Sequence, residues 1–120
     1  MTTIRIKRVY EPVEKKDGFR ILVDRLWPRG IKKESLHAET WIKEAAPSAA
    51  LRKWFNHEPE KWAAFRDKYK NELKKNTAIT ELLQYVGKHT TLTLLYAAKD
   101  EAHNQAVILQ QFLEERLKDK

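Results

Sequence analysis

The segment Phe19-Arg-Ile-Leu-Val-Asp-Arg-Leu-Trp-Pro-Arg-Gly30 passes abruptly from an apolar run into a dense set of charges. Ile21, Leu22 and Val23 read as a short buried strand. Asp24, Arg25 and Arg29 then emerge at its carboxyl end, the edge at which open α/β sheets place their ligands. Pro28 and Gly30 stop regular structure beyond it. The pattern implies a binding edge and names no reaction.

Working outward, Thr3 to Val9 alternates Ile4 and Ile6 with Arg5 and Lys7, the period-two pattern of a half-exposed edge strand. Residues 11–18 hold Pro12, Gly18 and several charges and read as a loop. Residues 31–40 are polar and irregular, and a short helix over Trp41–Ala45 ends before Pro47. Ser48 is the expected N-cap of a helix from Ala49 to Asn56, with Leu51 and either Trp54 or Phe55 facing inward. Pro59 opens the next helix, in which Trp62, Phe65, Tyr69 and Leu73 form an apolar stripe. A fourth helix begins near Asn76 or Thr77, buries Ile79, Leu82, Leu83 and Val86, and ends at Gly87 as a left-handed C-cap.

Thr91–Tyr96 is leucine-rich and β-branched without polar alternation, which is how a central strand buried on both faces reads. A last helix is expected over Glu101–Leu117, with Asp100 as its N-cap and Ala102, Ala106, Leu109, Leu113 and Leu117 on its apolar line. The elements sum to a single α/β domain over residues 1–120, a small, mostly parallel sheet of about three strands packed by about five helices.

Composition narrows the class. The chain of 120 residues contains no cysteine, which removes disulfides, thiolate nucleophiles and Cys-based metal sites and suits a reducing cytoplasm. The longest apolar run, Leu92–Ala98, is far short of the roughly 18 residues of a membrane span, and the N-terminus lacks a signal-peptide core, so a cytoplasmic, non-membrane protein is expected. Net charge is +7, and residues 1–33 carry ten Lys/Arg against four Asp/Glu, while the remainder carries fourteen against thirteen. A basic field attracts phosphorylated ligands and polyanions, although scattered lysines are more often solvated surface.

Asp24 and Asp100 each follow a predicted strand and fall on the same edge of a parallel sheet, together with His103 and Asn104 at the start of the last helix. Arg25, Arg29 and Arg52 supply planar guanidinium groups suited to carboxylate or phosphate. The bland alternative is that Asp24 pairs with Arg25 or Arg52 and the set braces a loop. His103 is the candidate acid or base, because a histidine one turn into a helix facing a cleft titrates near neutrality, with Asp100 able to shift the balance. Asp24 is the second catalytic candidate.

His57 has the competing reading of an N-cap or polar plug, and His37 and His89 read as loop surface. Asp100, Glu101 and His103 lack a metal-ligand spacing, so no metal is expected. P-loop, Gly-x-Gly-x-x-Gly and Gly-x-Ser-x-Gly patterns are missing, which removes the common nucleotide and acyl-transfer signatures and leaves any cofactor unknown.

Leu22-Val-Asp-Arg-Leu-Trp-Pro-Arg-Gly30, followed by Trp41, Ala46-Pro-Ser48, Leu51-Arg52, His57-Glu-Pro59, Trp62, Phe65, Tyr69, Glu72-Leu73, Leu95-Tyr96 and His103-Asn104, closely resembles the YeaO-like branch of the domain of unknown function 488 family across essentially the whole chain. The resemblance implies a compact cytoplasmic α/β domain. It maps the family's motif onto Asp24, Arg25, Trp27, Pro28, Arg29, Gly30, Arg52, His57, Tyr96, Asp100, His103 and Asn104, which adds His57 and Tyr96 to the ligand-binding set. More distant branches carry a cysteine in the last strand and Cys-His-Arg at the final helix, where this chain has Tyr96 and Ala102-His103-Asn104. Cysteine-dependent activity is therefore not carried over.

The leading functional reading is a pocket for a phosphorylated or carboxylate anion at the carboxyl edge of the sheet, with Arg25, Arg29 and Arg52 on the anion, Asp24 orienting them and His103 available for proton transfer. A nucleic-acid-binding accessory protein is the rival, using Lys7, Lys15 and Lys16 with Trp27 as a stacking platform. A third reading is a partner-binding domain with an exposed apolar patch. Oligomeric state is not legible.

Overall fold

A computed structural model describes residues 2–118. Four strands, β1 (Thr3–Arg8), β2 (Phe19–Leu22), β3 (Thr40–Trp41) and β4 (Thr91–Tyr96), form one sheet in the order β1-β4-β2-β3, with every pairing parallel. The helices are α1 (Lys33–Leu36), α2 (Ala49–Phe55), α3 (Trp62–Lys74), α4 (Ala78–Lys88) and α5 (Gln105–Lys118). None of the described helices is long and apolar enough to cross a membrane. The α/β class, the edge position of β1 and the central position of β4 agree with the sequence reading.

Side-chain alternation assigns the two faces of the sheet. Ile4, Ile21, Val23, Leu92, Leu94 and Tyr96 face the main core, which α2, α3, α4 and α5 cover with Phe55, Phe65, Tyr69, Leu82 and Leu109. Val9, Leu22 and Leu95 face the other way, onto Leu36 of α1 and the partly buried Trp27 and Ile31. This explains why β4 shows no polar alternation: both of its faces are covered.

The second face also holds charge. Lys7, expected on a solvent face, is 7% exposed and Arg20 is 3% exposed. Both reach Asp17, which is fully buried: Lys7 Nζ lies 3.1 Å from Asp17 Oδ1 and Arg20 Nη1 lies 2.5 Å from Oδ2. Lys7 also donates to Glu14 at 2.8 Å, Arg20 donates to Leu36 O at 2.9 Å, and the Glu14 N–H donates to Asp17 Oδ2 at 2.9 Å. Burial alone would raise the Asp17 pKa, but these donors together hold its carboxyl below the usual range. Alternation gave the correct face; it carried no information about the loop over residues 11–18 that folds across it.

Three expectations are corrected. A fourth strand, β3, occupies Thr40–Trp41 where irregular chain and then a helix over Trp41–Ala45 were expected; only a 3-10 turn remains, at Lys43–Ala45. Glu39 N donates to Arg20 O at 2.8 Å and Ile42 N donates to Leu22 O at 2.9 Å, so pairing to β2 makes this strand, and two residues carry no periodic signal. The last helix begins at Gln105 rather than Glu101. Asp100 instead accepts from Ala102 N and His103 N, closing a separate turn, and Asn104 Oδ1 caps α5 by accepting from Ala106 N at 2.9 Å. Ala102 is consequently exposed, while Ile108 and Phe112 join Ala106, Leu109 and Leu113 in the core.

Gly87 is the third correction. It lies inside α4 with right-handed backbone, and the helix runs on to Lys88 before His89 at an extended φ of −129°. The left-handed glycine that matters is Gly18, at φ +66°, where an added Cβ would lie 2.2 Å from the backbone oxygen of Thr91. A Cβ on Gly87 meets nothing within 4 Å.

Gly87→Ala is therefore expected to raise unfolding stability by about 0.5 kcal/mol, through helix propensity alone. Gly18→Ala should lower it by about 2–5 kcal/mol, because a strained φ and a backbone clash combine. Urea midpoints of the two variants against wild type check both signs.

Candidate functional site

Parallel pairing places the ends of β1, β2 and β4 at one edge, and a cleft of about 670 Å³ opens there. Asp24, Arg25 and Arg29 enter it from the segment after β2, and Arg52 and His57 from α2 and the turn beyond. Asp100, His103 and Asn104 arrive from the loop between β4 and α5. The two distant stretches of chain thus meet as the sequence implied. Tyr96 does not: its side chain belongs to the main core face, 2% exposed, and burial raises the pKa of its hydroxyl.

Asp24 is the hinge of the site. Its Oδ2 accepts from Ala97 N at 2.9 Å and its Oδ1 accepts from the Gln105 side-chain amide, so one carboxylate ties β2 to the end of β4 and to the first residue of α5. It pairs with neither Arg25 nor Arg52. Burial pushes its pKa up to about 6, against the opposing effects of the Ala97 and Gln105 hydrogen bonds and of the nearby Arg52 charge.

The arginines are consequently left without carboxylate partners. Among the described residues Arg25, Arg29 and Arg52 form no ion pair. Arg25 donates only two long bonds, both 3.4 Å, to Ala46 O and Pro47 O, and its Nε is buried with no partner. Arg29 and Arg52 are exposed at the rim, and Lys99 adds a fourth cation that the sequence reading did not single out.

His103 stands before α5, not one turn into it. Its Nδ1 lies 3.0 Å from Asp100 Oδ2, and its ring meets Trp62 edge-on at 5.1 Å between centroids. Asp100 is held below the usual carboxylate range, first by the Ala102 N–H and further by His103. Asn104 is buried and fully engaged: its side-chain amide donates to Asp100 O at 2.9 Å while its oxygen caps α5. Asn104 therefore shapes the wall of the cleft.

His57 is neither an N-cap nor a core plug. It follows Asn56 in the left-handed region, with φ of 54° and 48°, and is exposed on the cleft. Asn adopts that conformation at little cost and His less readily. Trp27 is a packing residue: its Nε1 donates to Ile31 O at 2.7 Å and its ring packs edge-on against Trp41 at 5.6 Å.

Gln105, Leu26, Lys99 and Tyr10 were missed. Contacts far apart in sequence identify two of them, Gln105 through Asp24 and Tyr10 through its hydroxyl donating to Arg29 O at 3.0 Å, while Leu26 and Lys99 adjoin Arg25 and Asp100 and line the same cleft. No group of three or more His, Asp or Glu side chains among the described residues is placed to hold a metal ion.

The raised Asp24 pKa sets a pH dependence. An acid whose folded pKa lies above its unfolded value favours folding in its protonated form, so ionising Asp24 opposes folding. Wild type should lose stability at this site, on the order of 2 kcal/mol, as pH rises from about 4 to about 6. Asp24→Asn keeps an acceptor for the Ala97 N–H without the charge. Its stability should exceed wild type near pH 7 and approach it near pH 4; chemical unfolding at both pH values checks this, and an equal difference at each would refute the shifted titration.

A family profile described as the inactive DUF488-N3 subclade matches residues 3–120. The chain is 48% identical over 110 residues to the uncharacterised protein YeaO of Escherichia coli, spanning 92% of this chain and 96% of that protein. Uncharacterised proteins of Mycobacterium bovis and Mycobacterium tuberculosis are each 39% identical over 115 residues, spanning 96% of this chain and 97% of theirs. No solved structure matches.

Proposed function

Because the chain belongs to the DUF488 family, in the subclade described as inactive DUF488-N3, we propose that its cleft binds a small anion without transforming it. The observation that carries this reading is the set of arginines without carboxylate partners around Asp24. Arg25 is half-buried with an unpartnered Nε, and a guanidinium so placed gains most from an incoming carboxylate or phosphate. Arg29 and Arg52 close the anion from the rim, and Asp24 acts by positioning the loop that carries Arg25 and Arg29. His57 and His103 belong to the binding wall in this reading, with no proton transferred by His103 or Asp24. A cytoplasmic setting suits a chain with no cysteine.

The nucleic-acid alternative rests on fewer groups. Lys7 and Arg20, two of the basic residues of the N-terminal third, are committed to Asp17, and the Trp27 indole is tied to Ile31 and Trp41. Lys15 and Lys16 remain exposed, and Lys16 lies 3.6 Å from Glu14.

Thermal unfolding in phosphate or sulfate tests the proposal. An anion bound only by the folded state stabilises it by mass action, on the order of 2.7 kcal/mol at a hundred times its Kd, and so raises the midpoint temperature. Arg29→Ala should leave the stability of the free protein within about 0.5 kcal/mol of wild type, because Arg29 is exposed, yet weaken anion affinity about tenfold or more. Equal anion-induced shifts in wild type and in the Arg25→Ala and Arg29→Ala variants would defeat the reading.

A further inference from the structure

Leu26 lies between the two arginines of the loop after β2 and lines the same cleft, yet it is 72% exposed. A lone exposed leucine needs no explanation. This one shares the cleft with Pro47, Phe55 and Phe65, whose two phenyl rings stack at 4.2 Å. A single short loop thus presents guanidinium groups and an uncovered apolar side chain to one open cleft.

Volume and charge narrow the occupant further. A cleft of about 670 Å³ is the size of an organic-ligand site, and a bare inorganic anion would leave most of it to water. Arg25, Arg29, Arg52 and Lys99 line it beside Asp24 and Asp100, so even with both acids ionised the cations are in excess and an anionic head group is favoured. Planar guanidinium forks match a planar carboxylate in two parallel hydrogen bonds.

Building on the anion reading above, we propose that the ligand is a monocarboxylate carried on an apolar body of aromatic-acid size. The head group sits on Arg25 and Arg29, and the body fills the space between Leu26 and the wall of Pro47 and Phe55. Covering the Leu26 side chain favours such a ligand over the bare head group by about tenfold or more in Kd.

Amide chemical-shift titrations of the full chain with acetate, 3-phenylpropionate, inorganic phosphate and phenyl phosphate separate the possibilities. 3-Phenylpropionate is expected to bind more than about tenfold tighter than acetate, and tighter than either phosphate compound. Leu26→Ser should erase the advantage of the phenyl body, read as the ratio of 3-phenylpropionate to acetate affinity, and its exposure at the rim keeps the fold intact. Arg29→Ala should weaken both carboxylates. Tighter binding of either phosphate compound, or full retention of the phenyl advantage in Leu26→Ser, would overturn this inference and leave the anion site standing. Failure of all four compounds to bind wild type would overturn both.

Discussion

Parallel pairing of β4 with β1 on one side and β2 on the other brings three carboxyl ends to the same edge, and every feature of the cleft follows from that register. Leu92 lies beside Ile4 and Phe19, and Leu95 beside Lys7 and Leu22. The chain leaving β2 and the chain leaving β4 therefore exit side by side. Asp24 then joins them through Ala97 and Gln105. A slip of one residue in this register would exchange the two faces of the strand and separate Asp24 from Ala97.

The clamp has an electrostatic consequence. A carboxylate that spends both oxygens on an amide N–H and a glutamine side chain does not neutralise the arginines next to it. Desolvation raises the Asp24 pKa, and the neighbouring guanidinium groups are left facing the cleft. The same residue thus holds the loop geometry and preserves the positive character of the cleft that the loop borders. Had Asp24 paired with Arg25 or Arg52, the cluster would be a structural brace.

On the opposite face, Asp17 gathers Lys7 and Arg20 beneath the loop after β1. Buried ion pairs of this kind are poor evidence of net stability, since desolvation offsets much of their attraction, but removing one partner leaves a buried charge uncompensated. The arrangement seals the sheet where the apolar packing of Val9, Leu22, Leu36 and Leu95 ends. Thr93 is satisfied there by donating to Asp17 O at 2.6 Å. Part of the chain's excess positive charge is in this way internal and unavailable to external polyanions.

The sequence by itself determined the α/β class, the edge and central strands, the Ser48 cap, the apolar stripe of α3 and the edge of the sheet where Asp24 and Asp100 emerge, because all of these are local or periodic signals. Residues three or four apart on a helix, or two apart on a strand, record the face they bury. Tertiary structure alone decided the short strand at Thr40–Trp41, the burial of Lys7 and Arg20, the start of α5 at Gln105, and the identity of Asp24's partners. Each depends on groups distant in the chain, or, at the start of α5, on Asn104 taking the capping role expected of Asp100. Spacing along one segment carries no record of what another segment brings to meet it.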